Sequence, residues 1–374
     1  FLIYFIMKRN LLYALTAVAM LTGCAKNDVV DSEINKEGNL IGFSTYKNIS
    51  RGNPVDDNNE FQTENNNFGV TAFIDDKESP YMGTVDKGIE IVSDGSKWTY
   101  ANAADQAYWP TNNEELDFYA YAPYNNTAIK ASFSNAGGLI LTYTVPATEA
   151  EQVDLMYASA LDQSKPAENN SVTLPFKHAL TQVNFKIGTK TTNLKVDVEA
   201  NGIQIHNLKN SGTFSTKNET WTLTDDATAE YTVTSEEVLE ASYYGNDQSQ
   251  YTTIGNADNA LMLLPQRFEA KSEELTDGAY LTISCKIYQV LADGETKVYL
   301  HGSESEYKNI TVGISSKKEE TEIWERNKKV TYNLLIGAVG SILKPIEFET
   351  TVKDWIPADG GVIEPTEVAA PVQE

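Results

Sequence analysis

Hydrophobic positions along this chain recur mostly at every second residue, and the runs are separated by clusters of Gly, Asn, Asp and Pro. That spacing predicts strands bounded by turns, with few short helices. Leu40 to Tyr46 reads as a short first strand, and Phe68 to Ile74 as the next. Leu116, Phe118, Ala120 and Ala122 alternate with Asp117, Tyr119 and Tyr121, which predicts one buried and one amphipathic face. Leu139, Leu141, Tyr143 and Val145 make a further strand, ended by Pro146. After the polar stretch Asp162 to Asn170, Val172, Leu174 and Phe176 lie in one phase and Val183, Phe185 and Ile187 in the other. A bend or bulge in one extended segment around His178 to Gln182 is therefore expected.

Strands follow at Leu194/Val196/Val198, Ile203/Ile205, Trp221/Leu223, Tyr231/Val233, Leu261 to Leu264, Leu281 to Tyr288, Lys297 to Leu300 and Val330 to Ile336. Ile346, Phe348, Val352 and Trp355 form a last apolar patch. No repeat of solenoid length is present. The pattern predicts an all-β chain built as two tandem β-sandwich domains. Its 374 residues also favour two cores over one. The expected division is a leader at 25–51, an N-terminal sandwich at 52–165, a C-terminal sandwich at 166–359 and an acidic tail at 360–374.

The N-terminus departs from this pattern. Met7-Lys8-Arg9-Asn10 is basic, Leu11 to Met20 is apolar, and Leu21-Thr22-Gly23-Cys24 follows. A charged start, a short apolar run and a small-residue site make a secretory signal over 7–24. Roughly 10–14 apolar residues fall short of the ~20 of a spanning helix. Leu-Thr-Gly-Cys resembles the bacterial lipobox, so Cys24 is the expected lipidation site, and acyl chains there would hold the chain to a membrane. Phe1 to Ile6 fit no part of the signal, and Met7 is the favoured start.

Composition narrows the function. Acidic residues number 53 against 29 basic ones, a formal net charge of -24. Nucleic-acid binding needs a basic face, so that class is set aside. The two cysteines are Cys24 and Cys285. With Cys24 lipidated, Cys285 has no partner for a disulfide. Its place in phase with Leu281, Ile283 and Ile287 marks it as a small buried apolar residue.

No catalytic constellation emerges. The sequence lacks a Gly-rich phosphate loop, a His pair at metal spacing and a Gly-x-Ser-x-Gly elbow. Asp56-Asp57, Asp75-Asp76 and Asp225-Asp226 sit in turn-like contexts and lack the spaced ligands of an EF-hand. His178, after Pro175-Phe176-Lys177, fits a structural role in a bend. Of the five tryptophans (Trp98, Trp109, Trp221, Trp324, Trp355), most are expected in cores or interfaces. The 20 tyrosines exceed what a core needs, which leaves some for surface contact. No cofactor, no metal and no enzyme activity are expected.

Several motifs together resemble the fimbrillin family of Bacteroidales, the lipoprotein precursors of pilus subunits. They are the lipobox ending in Cys24, Ile41-Gly42-Phe43 followed by Arg51, Ala107-Tyr108-Trp109-Pro110, and Leu116 to Pro123. They continue with Asp154 to Ala158, Leu174 to Val183, and Thr351-Val352-Lys353-Asp354-Trp355. The resemblance implies sandwiches of transthyretin-like topology and an outer-membrane precursor that an Arg-specific protease cuts near the end of the first strand. Removal of that strand would open a groove for a strand of the next subunit, so other pilin subunits are the implied partners. Arg51, in a polar Gly- and Pro-flanked stretch, is the candidate cleavage site. Ile41 and Phe43 are then the side chains that fill the groove beforehand. The tail offers Val362, Ile363, Val368 and Val372 as donor residues, but Pro365 and Pro371 interrupt a ladder. Shaft, tip and anchor roles stay open, as does an adhesin or surface lipoprotein that binds glycan or host protein.

Overall fold

The computed structural model describes residues 39–45, 61–167, 169–245, 247–255, 260–273, 275–314, 321–339, 342–343 and 346–355. The signal segment, Cys24, Arg51, Asp56-Asp57 and the acidic tail lie outside the described residues.

The elements are overwhelmingly strands, with short 3-10 turns at Ala103–Asp105, Glu149–Glu151 and Gln248–Gln250. The first nine strands are β1 Gly42–Thr45, β2 Asn67–Ile74, β3 Ile89–Ser93, β4 Trp98–Tyr100, β5 Leu116–Ala122, β6 Ile129–Ser134, β7 Gly138–Thr144, β8 Met156–Gln163 and β9 Ser171–Leu174. Next come β10 Lys177–His178, β11 Thr181–Thr189, β12 Leu194–Lys209, β13 Ser211–Ser215, β14 Thr220–Leu223, β15 Thr228–Val233, β16 Leu239–Ala241, β17 Thr252–Ile254 and β18 Leu261–Leu263. The remainder are β19 Arg267–Glu269, β20 Tyr280–Val290, β21 Lys297–His301, β22 Lys308–Gly313, β23 Thr321–Ile323, β24 Lys328–Ile336, β25 Ala338–Val339, β26 Ile342–Leu343 and β27 Glu347–Asp354.

Two hydrophobic clusters organise these strands. The smaller lies between the six-stranded sheet β10-β8-β5-β2-β3-β4 and the two-stranded sheet β1-β9. The larger runs from the opposite face of that six-stranded sheet, past β14-β13-β7-β6, into the sheets built on β11 and β12. The six-stranded sheet is thus a wall with a core on either side. In β5, Leu116, Phe118 and Ala120 belong to one cluster, and Tyr119 and Tyr121 to the other. The amphipathic face expected of β5 is therefore corrected to a buried one. Phe133 covers it, with Tyr121 and Phe133 ring centroids 6.1 Å apart, and on neighbouring β8 Tyr157 meets Phe214 at 4.7 Å.

The phase change after β9 has a cause other than a bend within one strand. β9 belongs to the β1 sheet, β10 pairs with β8, and β11 sits inside the sheet β17-β11-β24-β27. One extended segment passes through three sheets, so its inward side switches with each. His178 marks the handover. Its Nδ1 is 2.9 Å from the Asp154 carboxylate, and its ring stacks on Trp355 with centroids 3.9 Å apart.

β11 and β24 run parallel, and β27 adds antiparallel to β24, so the last apolar patch is an edge strand. Leu194 to Val198 and Ile203 to Ile205, read in sequence as two strands, form one 16-residue strand. Its register against β20 shifts between Val198 and Ile203, with Asn201 in the left-handed region at φ 55°. A bulge there re-aims the second half, which explains the phase change.

Candidate functional site

The site grows from β1, a four-residue strand with burial alternating along its length. Ile41 is fully buried and Phe43 is 6% exposed, while Gly42 and Ser44 face outward. β1 pairs in parallel with β9, from Gly42 opposite Ser171 to Thr45 opposite Leu174. Ile41 N–H donates to Ala107 O at 2.9 Å, and Gly42 N–H to Asn170 O at 3.0 Å. On the outer face the Ser44 and Thr173 hydroxyls lie 3.0 Å apart. Gly42 suits its position, since a Cβ there would fall 2.5 Å from Ser171 Oγ.

The wall opposite β1 is aromatic. The Phe43 ring meets Phe68 at 5.8 Å, Tyr100 at 5.8 Å and Phe118 at 6.4 Å between centroids, each edge-to-face. That arrangement matches positive ring edges to negative faces. Trp and Tyr also carry polar handles, and here they grip backbone and hydroxyl groups. The Tyr100 hydroxyl donates to Ile41 O at 2.9 Å, and Trp98 Nε1 to Thr45 Oγ1 at 3.2 Å. Trp109 Nε1 donates to Asn170 O at 2.8 Å, fixing the turn that leads into β9. Burial raises the Tyr100 hydroxyl pKa well above the ordinary phenol value, so it stays a donor.

Downstream, Phe61 returns to the same cluster, 5.0 Å from Trp98 and 4.8 Å from Phe176 between centroids. Thr45 and Phe61, the described residues on either side of positions 46–60, are thus both near this cluster. Burying a side chain such as Ile or Phe is worth about 1.5–3 kcal/mol. Ile41 and Phe43 together thus contribute several kcal/mol to a cluster otherwise built, among the described residues, from residue 61 onward.

Ile41 and Phe43 therefore share the smaller hydrophobic cluster. Sequence reasoning missed β9 as the parallel partner and the role of Trp98, Tyr100 and Trp109 as its wall. The aromatic density around Lys97 to Tyr100 and Tyr108 to Pro110 was the available signal. Other candidates fall elsewhere. Cys285 is buried, and burial pushes its thiol pKa up to about 12. Asp75-Asp76 and Asp225-Asp226 occupy exposed turns. Four of the five tryptophans are buried, and Trp221 is half-buried. Among the described residues, no three His, Cys, Asp or Glu side chains converge as a metal site.

Comparison with known proteins bears on this architecture. A solved fimbrial protein from Bacteroides vulgatus superimposes with a TM-score of 0.63 at 18% identity, covering 85% of this chain and 100% of its own. That likeness is one of fold. The fimbrium subunit Fim1C of Phocaeicola vulgatus is 26% identical over 240 residues, which is 55% of this chain. The match spans 59% of the length of that relative. The model of the fimbrillin-like family matches residues 55–355, most of the chain. By that match, this chain belongs to the fimbrillin-like family.

Proposed function

We propose that this protein is a structural subunit of a surface fimbrium, assembled by strand replacement in the β1 groove. The single observation that carries the reading is β1 itself. It is a short strand, with Phe43 buried in it and Ile41 buried just before it, that among the described residues pairs as a strand with β9 and precedes segment 46–60 in the sequence. In this scheme the chain is exported by the 7–24 signal and lipidated at Cys24, which holds it at the outer membrane. An Arg-specific protease then cuts after Arg51, and β1 departs with the leader.

The vacated slot takes a strand from another subunit, with main-chain hydrogen bonds to β9 and alternate side chains in the Ile41 and Phe43 positions. Until then β1 covers an edge that would otherwise pair indiscriminately. The partners are other pilin subunits, and the role is structural, not enzymatic. The domains at 52–165 and 166–359 belong to the same proposal.

The N-terminus and mass of the protein taken from intact cells test it. A start at Gly52 is expected, with Arg51→Ala leaving a folded precursor that does not enter fibres. An acylated start at Cys24 in the assembled protein, or normal fibres from Arg51→Ala, would overturn the cleavage mechanism.

A further inference from the structure

A second opening lies at the free edge of β14. This strand ends the four-stranded sheet β14-β13-β7-β6, and among the described residues its backbone pairs only with β13. Facing it is the two-stranded ribbon of β19 and β23. Between them runs an open cleft of ≈ 340 Å³ lined by Trp221, Leu223, Pro265 and Ile323, together with Arg267 and Arg326. The apolar part is fixed in place. Trp221 Nε1 donates to Ala179 O at 2.7 Å, and the Trp221 ring packs 5.4 Å from Phe214. Ile323, by contrast, stands 58% exposed on the ribbon.

The charge at this cleft is opposite to that of the molecule. The sequence has four arginines, at positions 9, 51, 267 and 326, and both described ones line this cleft. Lys177 and Arg326 both converge on Glu219. Arg267 makes no salt bridge among the described residues and is exposed. The charged side chains lining the cleft are thus two arginines against the one carboxylate of Glu219, which Lys177 also pairs, in a chain of net charge -24. A guanidinium presents a planar fork of donors suited to a carboxylate.

We propose that this cleft docks an extended acidic and aliphatic segment of another protein chain, added as a strand to the β14 edge. Main-chain bonds to β14 would supply affinity and alternate side chains the selectivity. Aliphatic side chains would pack on Trp221 and Ile323, and carboxylates would meet Arg267 and Arg326. A nucleic acid would offer anions too, but the -24 net charge repels it. None of the residues lining this cleft lines the β1 groove, so docking here is separable from strand replacement there.

The test uses the full chain and two fluorescein-labelled synthetic peptides, one alternating valine with glutamate and one alternating valine with lysine. The glutamate peptide is expected to bind, and the lysine peptide to bind at least tenfold more weakly. Arg267→Glu and Ile323→Glu, both at exposed positions, should each weaken the glutamate peptide at least tenfold, and added salt should weaken it further. Arg267→Lys keeps the charge but loses the fork, and should fall between. Equal binding of the two peptides, or binding unchanged in both Glu variants, would overturn the proposal. So would a photoreactive residue at position 323 that cross-links in the unliganded protein to the chain's own 356–374 segment, because the occupant would then be the tail.

Discussion

Phe43→Ala is the most direct perturbation of the β1 groove. Phe43 is 6% exposed and meets three aromatic rings edge-to-face. Truncating a buried Phe to Ala costs about 3–5 kcal/mol, which combines lost transfer energy with the cavity left behind. The groove is walled by strands that also pack on the larger core, so its collapse around the cavity should be limited. β1 lies at the end of the sheet order and touches the body through β9, the 107–108 segment and the aromatic wall. The loss should therefore appear as local opening of β1 and leave global stability nearly unchanged.

At about 1.4 kcal/mol per decade, 3–5 kcal/mol raises the open fraction roughly a hundred- to several-thousand-fold. Hydrogen exchange of the Ile41 and Gly42 amides, which donate to Ala107 O and Asn170 O, reads that fraction directly. Ser44→Ala is the control, since Ser44 faces outward and its hydroxyl bonds are to Thr173 and Val172. Exchange at 41–42 within threefold of the unmodified protein would refute the burial argument. Acceleration of equal size throughout 61–174 would refute the claim that β1 is a separable unit.

Three further outcomes follow from the same reasoning. Gly69→Ala places a Cβ 2.6 Å from Tyr121 Cε1 and 2.9 Å from Lys87 O, so about 1–3 kcal/mol of stability should be lost in urea titration. Burial works to raise the Glu219 pKa, but Lys177 and Arg326 outweigh it and hold the carboxyl below the ordinary glutamate value. Its folded-state value being depressed, its contribution is present above the ordinary range and lost as pH falls through the folded value. Glu219→Gln should therefore cost about 1 kcal/mol at neutral pH, with the difference from the unmodified protein shrinking in acid urea titrations. Cys285, with its thiol pushed up to about 12 and its side chain buried, should resist alkylation at pH 8 in the folded protein and react promptly in denaturant.

Much of the fold was legible because alternation survives wherever one face of a strand is buried. The burial of Ile41 and Phe43, of Leu139, Leu141, Tyr143 and Val145, and of Cys285 follows that alternation. Tyr119 and Tyr121 did not, because a phenol scores as amphipathic while its ring fills core volume; the Tyr121 hydroxyl reaches Lys87 O at 3.3 Å. Nor did the sequence disclose that β1 lies beside β9. Ser44 and Thr173 are 129 positions apart, and parallel pairing has no local turn to announce it. The β14 cleft was hidden for a related reason. Trp221, Arg267 and the Ile323–Arg326 pair come from three separate stretches and meet only once β14 and the β19–β23 ribbon are placed.

The wall formed by the six-stranded sheet also bears on how a strand could be exchanged at all. A groove that collapsed once emptied would have to be reopened by each incoming strand, at a cost taken from the binding energy. Here the strands facing β1 have a second reason to stay where they are. Phe73, Tyr119, Tyr121 and Tyr157 lock their reverse face into the larger core, while Phe68, Phe118 and Ala158 face the β1 side. Position is thus set by one face and binding by the other. Since side chains alternate along a strand, the two tasks fall to different residues of β2, β5 and β8. Losing Ile41 and Phe43 removes packing from the groove face alone. That division of labour favours a slot that persists between occupants, and it explains why β2 and β5 are buried on both faces over most of their length.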